Sequence, residues 1–247
     1  PNGAGKSTLL NLMVGLLAPT EGSILVLGHR TAVDADQLGR VGFLAQEAPV
    51  YGALSVADHL RFGASVNPRW DAQFAAERID ALDLDMRQRA GKLSGGQRAQ
   101  LALTLALAKR PELLLLDEPV AALDPLARRD FLATLTSYVA EHGISVVLSS
   151  HLLADLERVC DYLVLLSAAR VQLAGEVDEL LVGHRRISGA RRDLTALPSD
   201  QHVVWDSHTD KQTTAVIRVA GPIHDPAWRV EELSLEDVVL AYMGDGA

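Results

Sequence analysis

The sequence predicts an α/β fold built around a mostly parallel sheet. Three observations lead there. Apolar runs of strand length alternate with amphipathic helical stretches, the order that parallel sheets require. The run Leu113–Leu116 is continuously apolar, as a strand covered on both faces would be. A glycine-rich segment, Gly3-Ala4-Gly5, runs directly into a helical pattern that opens at Lys6.

Each element follows from its local chemistry. Lys6 to Leu17 reads as an amphipathic helix, followed by a turn around Pro19. Gly22–Leu27 reads as a strand ending at Gly28, and Val41–Ala45 as a short strand ending at Gln46. From Leu54 to Leu84 the apolar spacing becomes three and four, with a break at Asn67-Pro68. Gly95–Lys109 is a further helix, rich in Ala and Leu and stopped by Pro111. A helical block over residues 54–108 therefore interrupts the alternation. After the strand Leu113–Leu116 comes the helix Pro125–His142, closed by Gly143, and then the strand Ile144–Leu148. Residues 152–160 read as a helix, and Tyr162–Leu166 with Val171–Leu173 as a hairpin. From Gly183 the character changes. His184–Asp193, with Arg185, Arg186, Arg191 and Arg192 around Gly189, reads as a hinge that could also meet lipid head groups or a partner. The alternating stretches Gln201–Trp205 and Thr213–Val219 and the helix Leu233–Met243 complete a small α+β appendage.

The chemistry is concentrated in short motifs. Asn2-Gly3-Ala4-Gly5-Lys6-Ser7-Thr8 has the form of a loop that wraps backbone N–H groups around phosphates, with Lys6 reaching the β- and γ-phosphates and Ser7 ligating Mg²⁺. Gly3 and Gly5 remove side chains where the backbone must approach an anion, and the dipole of the following helix favours negative charge. Counting back from Gly5, the first glycine of G-x-x-x-x-G-K-[ST] falls one position before Pro1, and the chain has no initiator methionine. We therefore expect the natural start, including the strand that leads into the loop, to be missing. Asp117 and Glu118 close a buried strand at its carboxyl end, where open α/β sheets bind ligands.

One further motif makes the set specific. Leu93-Ser94-Gly95-Gly96-Gln97, arriving between the Gly-rich loop and Asp117-Glu118, resembles the signature of the ATP-binding cassette (ABC) family. The resemblance covers roughly residues 1–180, within a domain read as 1–182, and implies a P-loop NTPase fold of the ABC-ATPase type, with ATP and Mg²⁺ as its cofactors. It implies that Asp117 holds Mg²⁺ and its water, that Glu118 polarises the attacking water, and that Gln46 contacts Mg²⁺ or water and relays nucleotide state to the helical block. His151, in Ser149-Ser150-His151, matches the histidine that reads the γ-phosphate, and Asp124, in Ala122-Leu123-Asp124, the loop that organises contact across a dimer. It implies too that Ser94, Gly95, Gly96 and Gln97 serve the nucleotide of a second ATP-binding subunit, in a homo- or heterodimer. Val120-Ala121-Ala122 departs from the commoner Thr-x-Gly of the family. Residues 183–247 lie outside the core, and their end, Leu235–Leu240, resembles the tail of ATPases serving bacterial exporters.

Composition bounds the alternatives. At 247 residues, 48% of them hydrophobic and 22% charged, the chain suits one large folded domain or slightly more. A net charge of -9 argues against a nucleic-acid surface. Cys160 is alone, so no disulfide forms within the chain, and it reads as a small buried residue. No apolar run approaches the ~20 residues of a bilayer span. The expectation is an ATP-hydrolysing subunit at the cytoplasmic face of the plasma membrane, peripheral to transmembrane permease subunits and powering export. The competing readings are a soluble ABC ATPase acting on ribosomes or DNA, and an inactive fragment.

Overall fold

The computed structural model describes residues 3–31, 35–46, 50–153, 157 and 159–244. The chain falls into two compact units, one of Lys6–His151 and one of Pro1–Gly5 with Leu152–Ala247.

The first unit is organised by a parallel sheet. Strands β3 (Val41–Leu44), β4 (Leu113–Asp117) and β5 (Ser145–Ser149) lie in that order, with Leu44 opposite Leu116 and Asp117 opposite Ser149. All residues of the central strand β4 are buried, which explains its unbroken apolar run. Leu114, Leu115 and Leu116 are fully buried, each worth about 1.5–3 kcal/mol relative to exposure. Helix α1 (Lys6–Met13) packs Leu10 against Leu113, Leu115, Val41 and Val26. The expected strand over Gly22–Leu27 shrinks to β1 (Leu25–Val26), paired antiparallel with β2 (His29–Arg30). The reason is local. Leu27 and Gly28 both take positive φ, 53° and 79°, the two-residue turn that reverses the chain at once.

Helix α2 (Ala35–Arg40) precedes β3, and the helical block follows it. In that block α3 (Val56–Val66) starts at a capping box of Ser55 and Asp58, and α4 (Ala72–Ala81) is capped by Asp71. Together with α5 (Gly95–Ala108) they enclose a core of their own around Val56, Ile79, Leu93 and Leu101. Helix α6 (Pro125–His142) has Asp124 as N-cap, Pro125 at its first turn and Gly143 as a left-handed C-cap at φ 62°. Each of these signals is explicit in the sequence, and the helix bounds follow them.

The second unit is antiparallel. Hairpin β6–β7 (Tyr162–Ser167, Arg170–Glu176) leads to α7 (Val177–Val182), and these pack Leu163, Leu165, Val177 and Leu180 against Leu235 and Val239 of α8 (Leu235–Met243). A four-stranded sheet follows in the order β11-β8-β10-β9, formed by β8 (His184–Ala190), β9 (Gln201–His208), β10 (Gln212–Val219) and β11 (Arg229–Glu231). The expected hinge over 184–193 is corrected here, because most of it is β8, an interior strand paired on both edges. Its arginines are committed inside the unit. Arg186 meets Asp237 at 2.8 Å, and Arg192 meets Asp225 at 3.0 Å while lying over the Trp228 ring. Arg185 and Arg191 donate to backbone carbonyls of Leu181 and Thr209. Of the expected helix over 152–160, Leu153 is helical, and residues 154–156 and 158 lie outside the described residues.

Candidate active site

The carboxyl edge of the parallel sheet gathers most of the polar residues singled out by the sequence. Register does this work: Leu44, Leu116 and Leu148 are aligned, so Gln46, Asp117, Glu118, Ser149 and His151 all leave the sheet at one edge. Glu118 is the centre. It follows β4 with a positive φ of 49°, unusual for a side chain of its size and a local strain held by its surroundings. Its N–H donates to Ser149 Oγ at 2.9 Å and to the Ser149 carbonyl at 3.1 Å.

The Glu118 carboxylate is buried between two nitrogen donors. Lys6 Nζ lies 3.4 Å from Oε1, and His151 Nδ1 donates to Oε2 at 2.7 Å, with the His151 backbone N–H reaching the same oxygen at 3.3 Å. Carboxylate oxygens only accept, so the His151 proton sits on Nδ1. The His151 ring is otherwise about half exposed, with a side-chain exposure of 45% against 7% for Glu118. Asp117, also buried, accepts from Ser149 Oγ at 2.6 Å. The arrangement is an acid held inside a water-poor corner beside an ammonium and an imidazole, a geometry that can hold and move a proton where negative charge accumulates.

Other expected residues sit as follows. Ser7 and Thr8 are exposed on the first turn of α1, and Gln46 is exposed in the turn after β3. Gly3 and Gly5 adopt φ of 76° and 97°, the left-handed conformation that glycine supplies. Ala4 between them is buried, its carbonyl accepting from Ala169 N–H at 3.2 Å. Asn2 lies outside the described residues.

Ser94, Gly96 and Gln97 of the signature line a different cleft with Asp124, of about 260 Å³ and walled also by Gln100 and Leu126 among others. Lys6, Asp117, Glu118 and His151 take no part in it. Ser94 caps α5 by accepting from Gln97 N–H at 3.2 Å, and the Gln97 side chain accepts from Ser94 N–H at 2.9 Å. A Cβ on Gly96 would come 2.9 Å from the Ala127 methyl, so this glycine admits α6 against the start of α5. Gly95 has open space at the same position, leaving its backbone accessible.

Sequence reasoning missed one member of the site, Ser149. It valued Ser149-Ser150-His151 for the histidine alone. The available signal was its place opposite Asp117, which only strand register reveals. Every donor that could serve Mg²⁺, the Ser7 hydroxyl, the Asp117 carboxylate and the Gln46 carboxamide, is an oxygen, as a hard cation requires. No cluster of three His, Cys, Asp or Glu side chains able to hold a metal occurs among the described residues.

Comparison with known proteins identifies the family. A family model described as ABC transporter matches residues 1–121. The thiamine import ATP-binding protein ThiQ of Salmonella typhimurium is 34% identical over 196 residues, 76% of this chain and 82% of that protein. ThiQ of Escherichia coli is 34% identical over 188 residues, covering 74% and 81%. Among solved structures, an ATP-binding subunit of an ABC transporter superposes with TM-score 0.64 at 28% identity, covering 73% of this chain and 77% of its own. CbiO1 of Clostridium perfringens, part of the ABC transporter complex cbiONQ, gives 0.62 at 26% identity, covering 74% and 76%. The ATP-binding cassette MJ0796, dimeric in a post-hydrolysis state with ADP and Pi, gives 0.61 at 25% identity, covering 71% and 82%. The chain belongs to the ABC transporter ATP-binding family and is an ATP-binding subunit with the P-loop ATPase fold.

Proposed function

We propose that this subunit hydrolyses ATP at the Lys6–Asp117–Glu118–His151 corner and drives transport through separate permease subunits. The observation that carries the reading is the Glu118 carboxylate, buried 3.4 Å from Lys6 and 2.7 Å from His151 at the carboxyl edge of the sheet. Gly3, Ala4, Gly5 and Lys6, with Asn2 and Thr8, cradle the phosphates. Ser7, Asp117 and Gln46 would hold Mg²⁺, which would supply neutralisation of the phosphate charge. Glu118 orients and deprotonates the attacking water, and His151 stands beside it to read the terminal phosphate. Most of the rate enhancement is positioning and charge neutralisation.

The signature residues Ser94, Gly95, Gly96 and Gln97, with Asp124, act on the nucleotide of a second ATP-binding subunit. Support comes from their separate cleft, in which the chain's own Lys6 site has no part, and from the dimeric state of the MJ0796 structure. The permease partnership is supported by CbiO1, a component of the cbiONQ complex. No helix among the described residues is long and apolar enough to cross a membrane, so permeases from other chains would bring the subunit to the cytoplasmic face. Residues 1–182 form the motor and 183–247 an accessory region in this reading. ThiQ is an import protein, and export, suggested by the Leu235–Leu240 tail, gains no support from the relatives. The test is size-exclusion chromatography of the Glu118→Gln chain with Mg²⁺-ATP. A dimer that forms with ATP and not with ADP is expected, and a monomer under both conditions would count against the shared-site arrangement.

A further inference from the structure

We propose that Ser149 is the positioning residue that locks Asp117 and Glu118 into their separate tasks, an inference that rests on the ATPase reading above. The argument begins with hydrogen-bond direction. A serine hydroxyl has one proton to give and lone pairs to accept with. Glu118 N–H is a donor and occupies a lone pair of Ser149 Oγ at 2.9 Å. The hydroxyl proton is then free for one acceptor, and the Asp117 carboxylate stands 2.6 Å away at Oδ1. One hydroxyl thus fixes a side chain and the next residue's backbone at once.

Register makes this possible. Asp117 and Ser149 are direct partners on adjacent parallel strands, so their side chains project from the same face. Asp117, Glu118 and Ser149 are all buried, with exposures of 5%, 6% and 8%. A charge-assisted bond of this length in a site with little water is strong and directional. With Oδ1 committed to Ser149, Asp117 presents Oδ2 to a metal or its water. The second effect concerns Glu118, whose left-handed backbone at φ 49° swings its carboxylate toward Lys6 and His151 instead of continuing the strand. Ser149 tethers that strained residue by both its hydroxyl and its carbonyl.

The chemistry separates this role from simple packing. Ser149→Ala keeps the backbone carbonyl and the strand pairing and removes the bridge alone. Ser149→Thr keeps the hydroxyl. Three measurements on the full chain decide. The first is ADP affinity with and without Mg²⁺ by equilibrium titration. Ser149→Ala is expected to leave the Mg²⁺-free affinity unchanged and cut the Mg²⁺ enhancement by about tenfold, with Ser149→Thr restoring it. The second is amide exchange at Glu118 without nucleotide, expected to quicken about tenfold in the alanine variant. The third is hydrolysis, where kcat is expected to fall more than tenfold with KM little changed. An unchanged Mg²⁺ enhancement in Ser149→Ala overturns the proposal. So does a loss in the threonine variant equal to that in alanine, provided both melt at the wild-type temperature. If wild type binds no nucleotide, the ATPase reading itself falls and this role with it. A wild-type chain that binds while Ser149→Ala matches it throughout leaves the ATPase reading standing and removes only Ser149.

Discussion

Gly96 offers a quantitative test of how the signature cleft is built. In Gly96→Ala the new methyl would stand 2.9 Å from the Cβ of Ala127, closer than carbon atoms approach without something moving. Replacing a helical glycine by alanine gains about 1 kcal/mol in propensity, and less at the second position of α5. Overpacking typically costs about 1–3 kcal/mol, so the clash wins and a net loss of about 1 kcal/mol is expected. At this size of domain, that lowers Tm by about 2–4 °C. The assay is a double-mutant cycle with Ala127→Gly, read from urea midpoints at constant slope. The second substitution removes the opposing methyl, so the pair should recover about 1 kcal/mol relative to the sum of the single changes. A Gly96→Ala chain as stable as wild type, with no coupling to position 127, would refute the contact between α5 and α6.

Two pH effects follow from groups away from the site. His184 is buried, its Nδ1 donating to Leu180 O at 2.7 Å and its Nε2 accepting from Tyr242 at 3.0 Å. Desolvation, with Arg218 nearby, holds the imidazole below its ordinary value. The folded chain therefore takes up this proton less readily than the unfolded one, so stability is present above about pH 6.5 and is lost as pH falls below it. The urea midpoint should drop between pH 7.5 and 5.5, and His184→Gln should remove part of that drop. Glu112 is held down to about 2, first by its bidentate bond to Arg40 and then by Arg69. That contribution is intact above about pH 4.5 and disappears as pH falls toward 2. The carboxylate is 44% exposed, so Glu112→Gln should cost no more than about 1 kcal/mol at neutral pH and flatten the acid limb.

Much of the first unit was legible because local signals and tertiary demands coincide. The unbroken leucines of β4 could only be a strand covered on both faces, and Asp124-Pro125 with Gly143 bracket α6 by cap chemistry alone. The helical block was readable from its spacing and the Asn67-Pro68 break. The hairpin at Leu25–Arg30 was not, because Leu27 adopts the left-handed turn against its own preference and Gly28 alone gives no warning. The arginine-rich stretch after Gly183 misled for a different reason. Arg186 and Arg192 look solvated until Asp237 and Asp225, far along the chain, are brought to meet them. Within the site, Lys6, Asp117, Glu118 and His151 were recognised as motif members. Their convergence on one carboxylate, and the part of Ser149, depend on strand register and on the backbone turn at Glu118, neither of which a motif encodes.

The most direct test of the account is the rate of ATP hydrolysis by Glu118→Gln beside wild type, with Mg²⁺-ATP affinity measured on the same samples. General-base catalysis typically supplies 10²–10⁴-fold, about 3–5 kcal/mol of barrier. The account predicts a fall in kcat of at least about a hundredfold with binding retained. Hydrolysis at the wild-type rate in Glu118→Gln would contradict it.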